Sequence, residues 1–263
     1  LAAYDEALKY RRPDTAPLEY AATQNNRATL LSELATLPGE DRRQRLQDAL
    51  AAYDEALEHY RPDTAPLDYA MTQNNRATLL SALATLPGED RRQRLQDALA
   101  AYDEALEHYR PDTAPLDYAM TQNNRANLLS DLATLPGEDR RQRLQDALAA
   151  YDEALKYRRP DTAPLEYAGT QNNRANLLSD LATLPGEDRR ARLLQALRCA
   201  WEAYTLFETL QHEQYRIVTQ RTVKKMRDVC GDDFDALWQE LGVGEPPEWL
   251  TAQDSATQKI SLD

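Results

Sequence analysis

LAAYDEALEHYRPDTAPLDYAMTQNNRATLLSALATLPGEDRRQRLQDA occupies residues 50–98. Residues 99–147 repeat it with two changes: Thr78 becomes Asn127 and Ala82 becomes Asp131. The opening octet Leu-Ala-Ala-Tyr-Asp-Glu-Ala-Leu begins at Leu1, Leu50, Leu99 and Leu148, so a 49-residue period holds four times without a gap. A fifth, degenerate copy starts at Leu197, where Arg198-Cys199-Ala200-Trp201-Glu202-Ala203 replaces the usual text. A period of this length marks stacked supersecondary units rather than one globular core.

Each unit reads as two helices. In the copy through residues 66–110, the first helix is expected from about Pro66 to Leu86. Thr64 is the candidate N-cap, and Pro66 sits in the first turn, where a missing N–H costs nothing. Leu79, Leu80, Leu83 and Leu86 recur at three- and four-residue spacing, the helical apolar stripe. Pro87-Gly88 stops it. The second helix is expected to begin near Asp90, a natural N-cap, with Leu95, Ala98, Leu99, Tyr102, Ala105 and Leu106 as its stripe. It ends before Arg110-Pro111, because proline disfavours the helical region for the residue ahead of it. Each helix should be about 20 residues, roughly 30 Å. One hairpin cannot bury both stripes, whereas stacked hairpins can. The expected fold class is an all-α solenoid of tandem helix hairpins.

The totals agree. The 263 residues carry a formal net charge of −13, with two phenylalanines, and four of the eight glycines stand in the recurring Pro-Gly pair. Such a mix favours helices over strands. The acidic balance argues against a nucleic-acid partner, which needs a net basic surface. Arg42, Arg43 and Arg45 cluster, but among acids, and read as a solvated helix start.

The units resemble tetratricopeptide repeats. Ala98, Tyr102, Ala105 and Leu106 look like that family's second-helix signature, and Ala77 and Leu80 like the small and large residues of its first helix. The resemblance covers roughly residues 1–205. Two departures stand out. The family unit is shorter by about fifteen residues, and here the extra length falls at the connections and helix ends. The text Ala-x-Thr-Gln-Asn-Asn is similar to long-period repeats of bacterial multidomain proteins, which join caspase-like proteases or signalling NTPases; neither effector is visible here. The other departure is Arg27, with Arg76, Arg125 and Arg174, where the family has leucine. A buried arginine needs an acceptor, and Asp5 and Glu6 with their repeats are the candidate partners. The alternative is a packed stem whose head snorkels to water.

The four copies can be read against one another. Their first-helix differences fall at Ala22, Met71, Met120 and Gly169; at Thr29, Thr78, Asn127 and Asn176; and at Glu33, Ala82, Asp131 and Asp180, with a milder Glu/Asp exchange at Glu19, Asp68, Asp117 and Glu166. Offsets of seven and four select one helix face. The equally polar Gly-Glu-Asp-Arg-Arg segment is identical in all four copies. The resemblance implies that this face lines a concave groove that holds peptides. Asn25, Asn74, Asn123 and Asn172 share the face and stay constant, and a row of asparagines could clamp a peptide backbone, since each both donates and accepts. A second varying patch, Lys9-Tyr10-Arg11 against Glu58-His59-Tyr60, reads as loop variation.

After Ala203 the text changes. Residues 204 to about 229 read as helical, and Asp232 or Asp233 could cap a short helix at Phe234–Leu241. All three tryptophans, Trp201, Trp238 and Trp249, and both phenylalanines, Phe207 and Phe234, lie here. This suits a cap over residues 204–250 that closes the array of residues 1–203. From about Thr251 the tail is polar and expected to be disordered.

Catalytic chemistry is absent from the text. There is no Gly-x-x-x-x-Gly-Lys loop and no Gly-x-Gly-x-x-Gly turn. His59 and His108 are one position in two copies, a unit apart, and cannot share a metal within one chain. The Asp-Glu pair of each second helix points its carboxylates to different sides and reads as a solvated face. Cys199 and Cys230 form no framework, and no apolar run approaches the ~20 residues of a membrane helix. A cytoplasmic, non-enzymatic module is expected, with no cofactor, no metal and no membrane or nucleic-acid partner. It would bind a protein or peptide along the groove. A self-assembling spacer that associates through the exposed half-repeat at Leu1 is the alternative. The chain opens inside a repeat without Met and is expected to be part of a longer protein.

Overall fold

The computed structural model describes residues 1–251, and the expected disordered tail beyond Thr251 lies outside them. Among the described residues every regular element is helical. In chain order these are α1 (Ala2–Ala7), α2 (Pro17–Leu34), α3 (Arg42–Leu57), α4 (Pro66–Leu83), α5 (Arg91–His108), α6 (Pro115–Leu132) and α7 (Arg140–Ala154). Then follow α8 (Pro164–Leu181), α9 (Arg189–Thr209), α10 (Glu213–Cys230), α11 (Phe234–Leu241) and α12 (Glu248–Thr251). The fold class is the all-α tandem-hairpin repeat expected from the 49-residue period. No helix among the described residues is long and apolar enough to cross a membrane.

The second helices start as the sequence indicates. Asp41, Asp90 and Asp139 each accept the backbone N–H three residues on, at 3.1 Å. The first helices start differently. Pro66 fills the first helical position, so the capping residue is Ala65, and no side chain caps the end. Thr64 stands one residue too early and instead closes a turn, its N–H donating to Arg61 O at 3.2 Å. Asp68 in the first turn is the acid that favours this end of the helix. The first helix is also shorter than its stripe. α4 ends at Leu83, and Thr85 and Leu86 donate to residues three back at 3.2 and 2.9 Å. This tightening ahead of Pro87 fits the exclusion of a pre-proline residue from helix. Gly88, at φ 82°, then reverses the chain in a region that L side chains avoid.

Contacts divide the chain into two compact units, Leu1–Arg158 and the residues from Arg159 onward. In the first, the hairpins α2–α3, α4–α5 and α6–α7 stack in chain order. Alanine makes the close approaches: Ala21, Ala28, Ala49 and Ala56, and their repeats, have no exposed surface, with Leu31, Leu46 and Tyr53 beside them. Of the expected stripes, Leu79, Leu80, Leu83, Leu95, Ala98, Tyr102 and Ala105 are buried, while Leu86, Leu99 and Leu106 are half-buried.

In the second unit α8 and α9 form a hairpin, α10 packs on both, α11 on α9 and α12 on α10. The helix expected from residue 204 is two helices: α9 runs on to Thr209, and Gln211, at φ 55°, turns the chain before α10 begins at Glu213. Phe234–Leu241 is helical as expected, but Asp233 makes no side-chain cap bond. Trp201 meets Trp238 edge-on at 4.9 Å between ring centres, and Tyr204 meets Trp249 at the same distance. Cys199 and Cys230 are buried free thiols, and burial pushes Cys230 up to about 11.

Candidate functional site

Polar side chains tie each hairpin of the first unit to itself and to the next. Tyr20 Oη donates to Glu55 Oε2 at 2.6 Å, and Gln24 Nε2 donates to the same oxygen, joining α2 to α3. Arg76 Nε donates to Asp54 Oδ1 at 2.6 Å, joining α4 to the preceding α3. Arg27 with Asp5 (3.0 Å) and Arg125 with Asp103 (2.6 Å) repeat the bond. At Arg27, Arg76 and Arg125 the side chain is half-buried and its head pairs with a half-exposed carboxylate. The Asp-Glu pair does point to different sides, but both acids are bonded rather than merely solvated. Arg43 reaches across a joint to Glu89 and Pro87 O, and Arg92 does the same to Glu138 and Pro136 O. Arg94 adds a 3.0 Å bond to Glu89.

The first-helix positions singled out from the sequence separate into distinct environments. Asn25, Asn74 and Asn123 are buried, at 3%, 3% and 7% exposure. Asn25 Oδ1 accepts from Thr72 Oγ1 and Asn74 Oδ1 from Thr121 Oγ1, both at 3.2 Å. This corrects the idea of an asparagine row free to clamp a backbone: at these joints the side-chain carbonyl is spent on the next hairpin. Asn172, in the second unit, is half-buried. Ala22 and Met71 are partly buried against the alanine–tyrosine clusters around Tyr60 and Tyr109. Met120 and Gly169 are half-buried as well.

The next two positions are exposed or half-buried. Thr29 and Thr78 share hydrogen bonds with Tyr53 and Tyr102 hydroxyls at 3.1 and 3.0 Å. Asn127 accepts from Tyr151, and Asn176 from Lys225 Nζ at 2.8 Å. Burial raises the Tyr102 phenol to about 12 and pushes Tyr53 and Tyr151 up also, so these hydroxyls remain donors at neutral pH. Glu33 and Asp131 are exposed, and Ala82 and Asp180 half-buried. The Asp131 carboxyl is raised above the usual range by desolvation, against the pull of Arg91.

Thr29, Glu33, Thr78 and Ala82 converge on one cleft of about 370 Å³ between α2, α3 and α4. Leu46, Leu79, Tyr53 and Ala35 supply its apolar lining, and Ser32, Thr36, Asn75 and Arg42 complete it. Sequence reasoning missed Arg42, reading it as a solvated helix start. Its place in the first turn after the Pro-Gly reversal, which brings the end of α2 to the start of α3, is the signal that could have found it. A polar cleft of about 360 Å³ lies beside Gln122, Arg125, Asp146 and Glu153. Among the described residues no group of three or more His, Cys, Asp or Glu side chains could hold a metal ion.

No family model and no curated protein matches the chain. Among solved structures it is similar to the crystal structure of a de novo designed helical repeat protein. The identity is 16%, the match covers 86% of this chain and 96% of that one, and the TM-score is 0.32.

Proposed function

We propose that the chain is a binding module of tetratricopeptide type that holds an extended segment of a partner protein along the first-helix face. The observation that carries this reading is the cleft: four of the side chains singled out by copy-to-copy differences and by the tetratricopeptide resemblance line one concave site. Burial of the signature residues Ala77, Leu80, Ala98, Tyr102 and Ala105 supports the tetratricopeptide comparison. A surface whose apolar floor is ringed by a few polar groups suits specific binding. Glu33 and Asp131, both in the first unit, give its first-helix face an acidic bias, so a partner with basic or mixed charge fits it. In a cytoplasmic multidomain protein such a module would sense or recruit. The test is crosslinked capture of partners by the full chain and by a variant carrying Thr29→Ala, Glu33→Ala, Thr78→Ala and Asn127→Ala. Thr29, Thr78 and Asn127 bond the buried hydroxyls of Tyr53, Tyr102 and Tyr151, so the melting temperature falls; partner loss by a variant still folded at the capture temperature is expected, and undiminished capture overturns the reading.

The second reading is a spacer or self-assembling array. It is favoured by the number of polar side chains bonded between hairpins. Light scattering separates the two: growth of the particle with concentration belongs to assembly.

A further inference from the structure

Two joints of the first unit are built from nearly the same text and differ at three lining positions: Glu33, Thr78 and Ala82 at the first correspond to Ala82, Asn127 and Asp131 at the second. At the first, Ala82 lines the cleft; in the next hairpin its place is taken by Asp131, whose carboxylate lies in the field of Arg91. The first joint therefore presents a methyl where the second presents a charge. Its floor of Leu46, Leu79 and Tyr53 stays apolar. Its rim carries Glu33 and Arg42, both exposed. Among the described residues neither enters an ion pair, and the Arg42 guanidinium makes one hydrogen bond, to Thr85 Oγ1 at 3.4 Å.

From this difference we infer that the first joint is an anchor pocket for one apolar side chain of an extended peptide that carries a basic residue beside Glu33 and an acidic residue beside Arg42. The inference rests on the peptide-binding reading above and names the ligand class. The volume, about 370 Å³, is at the low end of the ~300–1,000 Å³ of ligand pockets, which suits a single large side chain rather than a cofactor. Opposite unpaired charges on the rim set the direction in which the peptide lies, because reversal would place like charges together. The second joint excludes the same anchor, since an apolar group placed there would strip water from the Asp131 carboxylate without replacing it.

The chain supplies its own control. Aspartate already stands at the equivalent place in α6 and α8, so Ala82→Asp introduces the residue that two other copies carry there. Random peptides displayed on phage are selected on the full chain, and synthetic copies of the enriched sequences are titrated by calorimetry. Enriched peptides should share one aliphatic or aromatic anchor with a basic flank on one side and an acidic flank on the other. Ala82→Asp should weaken them about tenfold or more, with its helical signal and melting temperature checked alongside. Asp131→Ala should add a second site that has lost the basic preference, because Ala82 stands there where Glu33 stands at the first. Enriched peptides that bind Ala82→Asp as tightly as the parent, with no extra site in Asp131→Ala, overturn the anchor pocket and leave the wider groove reading standing. No enrichment on the parent chain overturns both.

Discussion

Asp54 and Glu55 are neighbours in sequence and hold opposite partners. Asp54 accepts from Arg76 of the following hairpin at 2.6 Å, whereas Glu55 accepts from Tyr20 at 2.6 Å and from Gln24 within its own hairpin. Adjacent helical residues project about 100° apart, so one dipeptide can serve two helix contacts. Asp103 and Glu104 repeat the arrangement with Arg125 and with Tyr69 and Gln73. The acidic pair, which looks like surface charge in the sequence, is a two-way latch.

The halves of the latch should differ in strength. Asp103 is half-exposed, and a pair of that kind contributes about 0–1 kcal/mol. Glu104 instead satisfies a buried Gln73, whose Oε1 has no partner already. Removing Glu104 takes away an acceptor from the Gln73 amide and should cost about 1–3 kcal/mol. Urea melts of Asp103→Ala and Glu104→Ala should show the larger midpoint loss in the second. Equal losses would remove the distinction.

The two kinds of helix start make a separate prediction. Asp90→Ala deletes a side-chain cap and should cost about 1 kcal/mol. Thr64→Ala removes no cap and should stay within ~0.5 kcal/mol. Thermal melting of the two single variants decides this, and a large loss in Thr64→Ala would restore threonine as the cap.

The period and the leucine–alanine stripes made the hairpins legible, because burial in a repeat copies itself along the chain. The aspartate caps were legible too, since a cap acts on a backbone N–H three residues away. What could not be read was how polar side chains would be shared between units 47 to 49 residues apart. Asn74 looks identical whether it faces a ligand or Thr121; only stacking decides. The same limit hid the break at Gln211 that makes α10 a separate helix. Thr219-Gln220 stands 49 residues after Thr170-Gln171, and Lys225 reaches Asn176, but the text between them no longer resembles a first helix. Arg42 was missed because its neighbours in sequence are charged, while its neighbours in space include Leu46 and Leu79.

Acid should loosen the joints through Glu89 and Glu138. Arg94 and Arg43 hold the Glu89 carboxyl below its ordinary range, and Arg143 and Arg92 do so for Glu138. A carboxylate with a lowered folded value contributes its full stabilisation above the ordinary range and loses it as pH falls through the lowered value. Melting temperatures of the parent and of the Glu89→Gln, Glu138→Gln double variant should therefore differ at neutral pH and converge on acidification. A gap that stays constant down to the acid range would show that these ion pairs do not stabilise the fold.

The last prediction separates structure from binding on the same helix face. Asn74 and Glu33 were grouped by sequence, yet Asn74 is buried and bonded to Thr121 while Glu33 is exposed. Asn74→Ala removes the longer of two acceptors shared by the Thr121 hydroxyl, which keeps Asp117 O at 2.9 Å, and opens a small void beside it, so about 0.5–1.5 kcal/mol of stability should be lost. Glu33→Ala removes a solvated carboxylate and should change stability by no more than ~0.5 kcal/mol. If the face binds a peptide with a basic flank, Glu33→Ala weakens capture and shifts its salt dependence without moving the melting curve. The reverse pattern, with Glu33→Ala destabilising and Asn74→Ala weakening capture in a fully folded chain, would return the asparagine row to the binding surface and take the acid out of it.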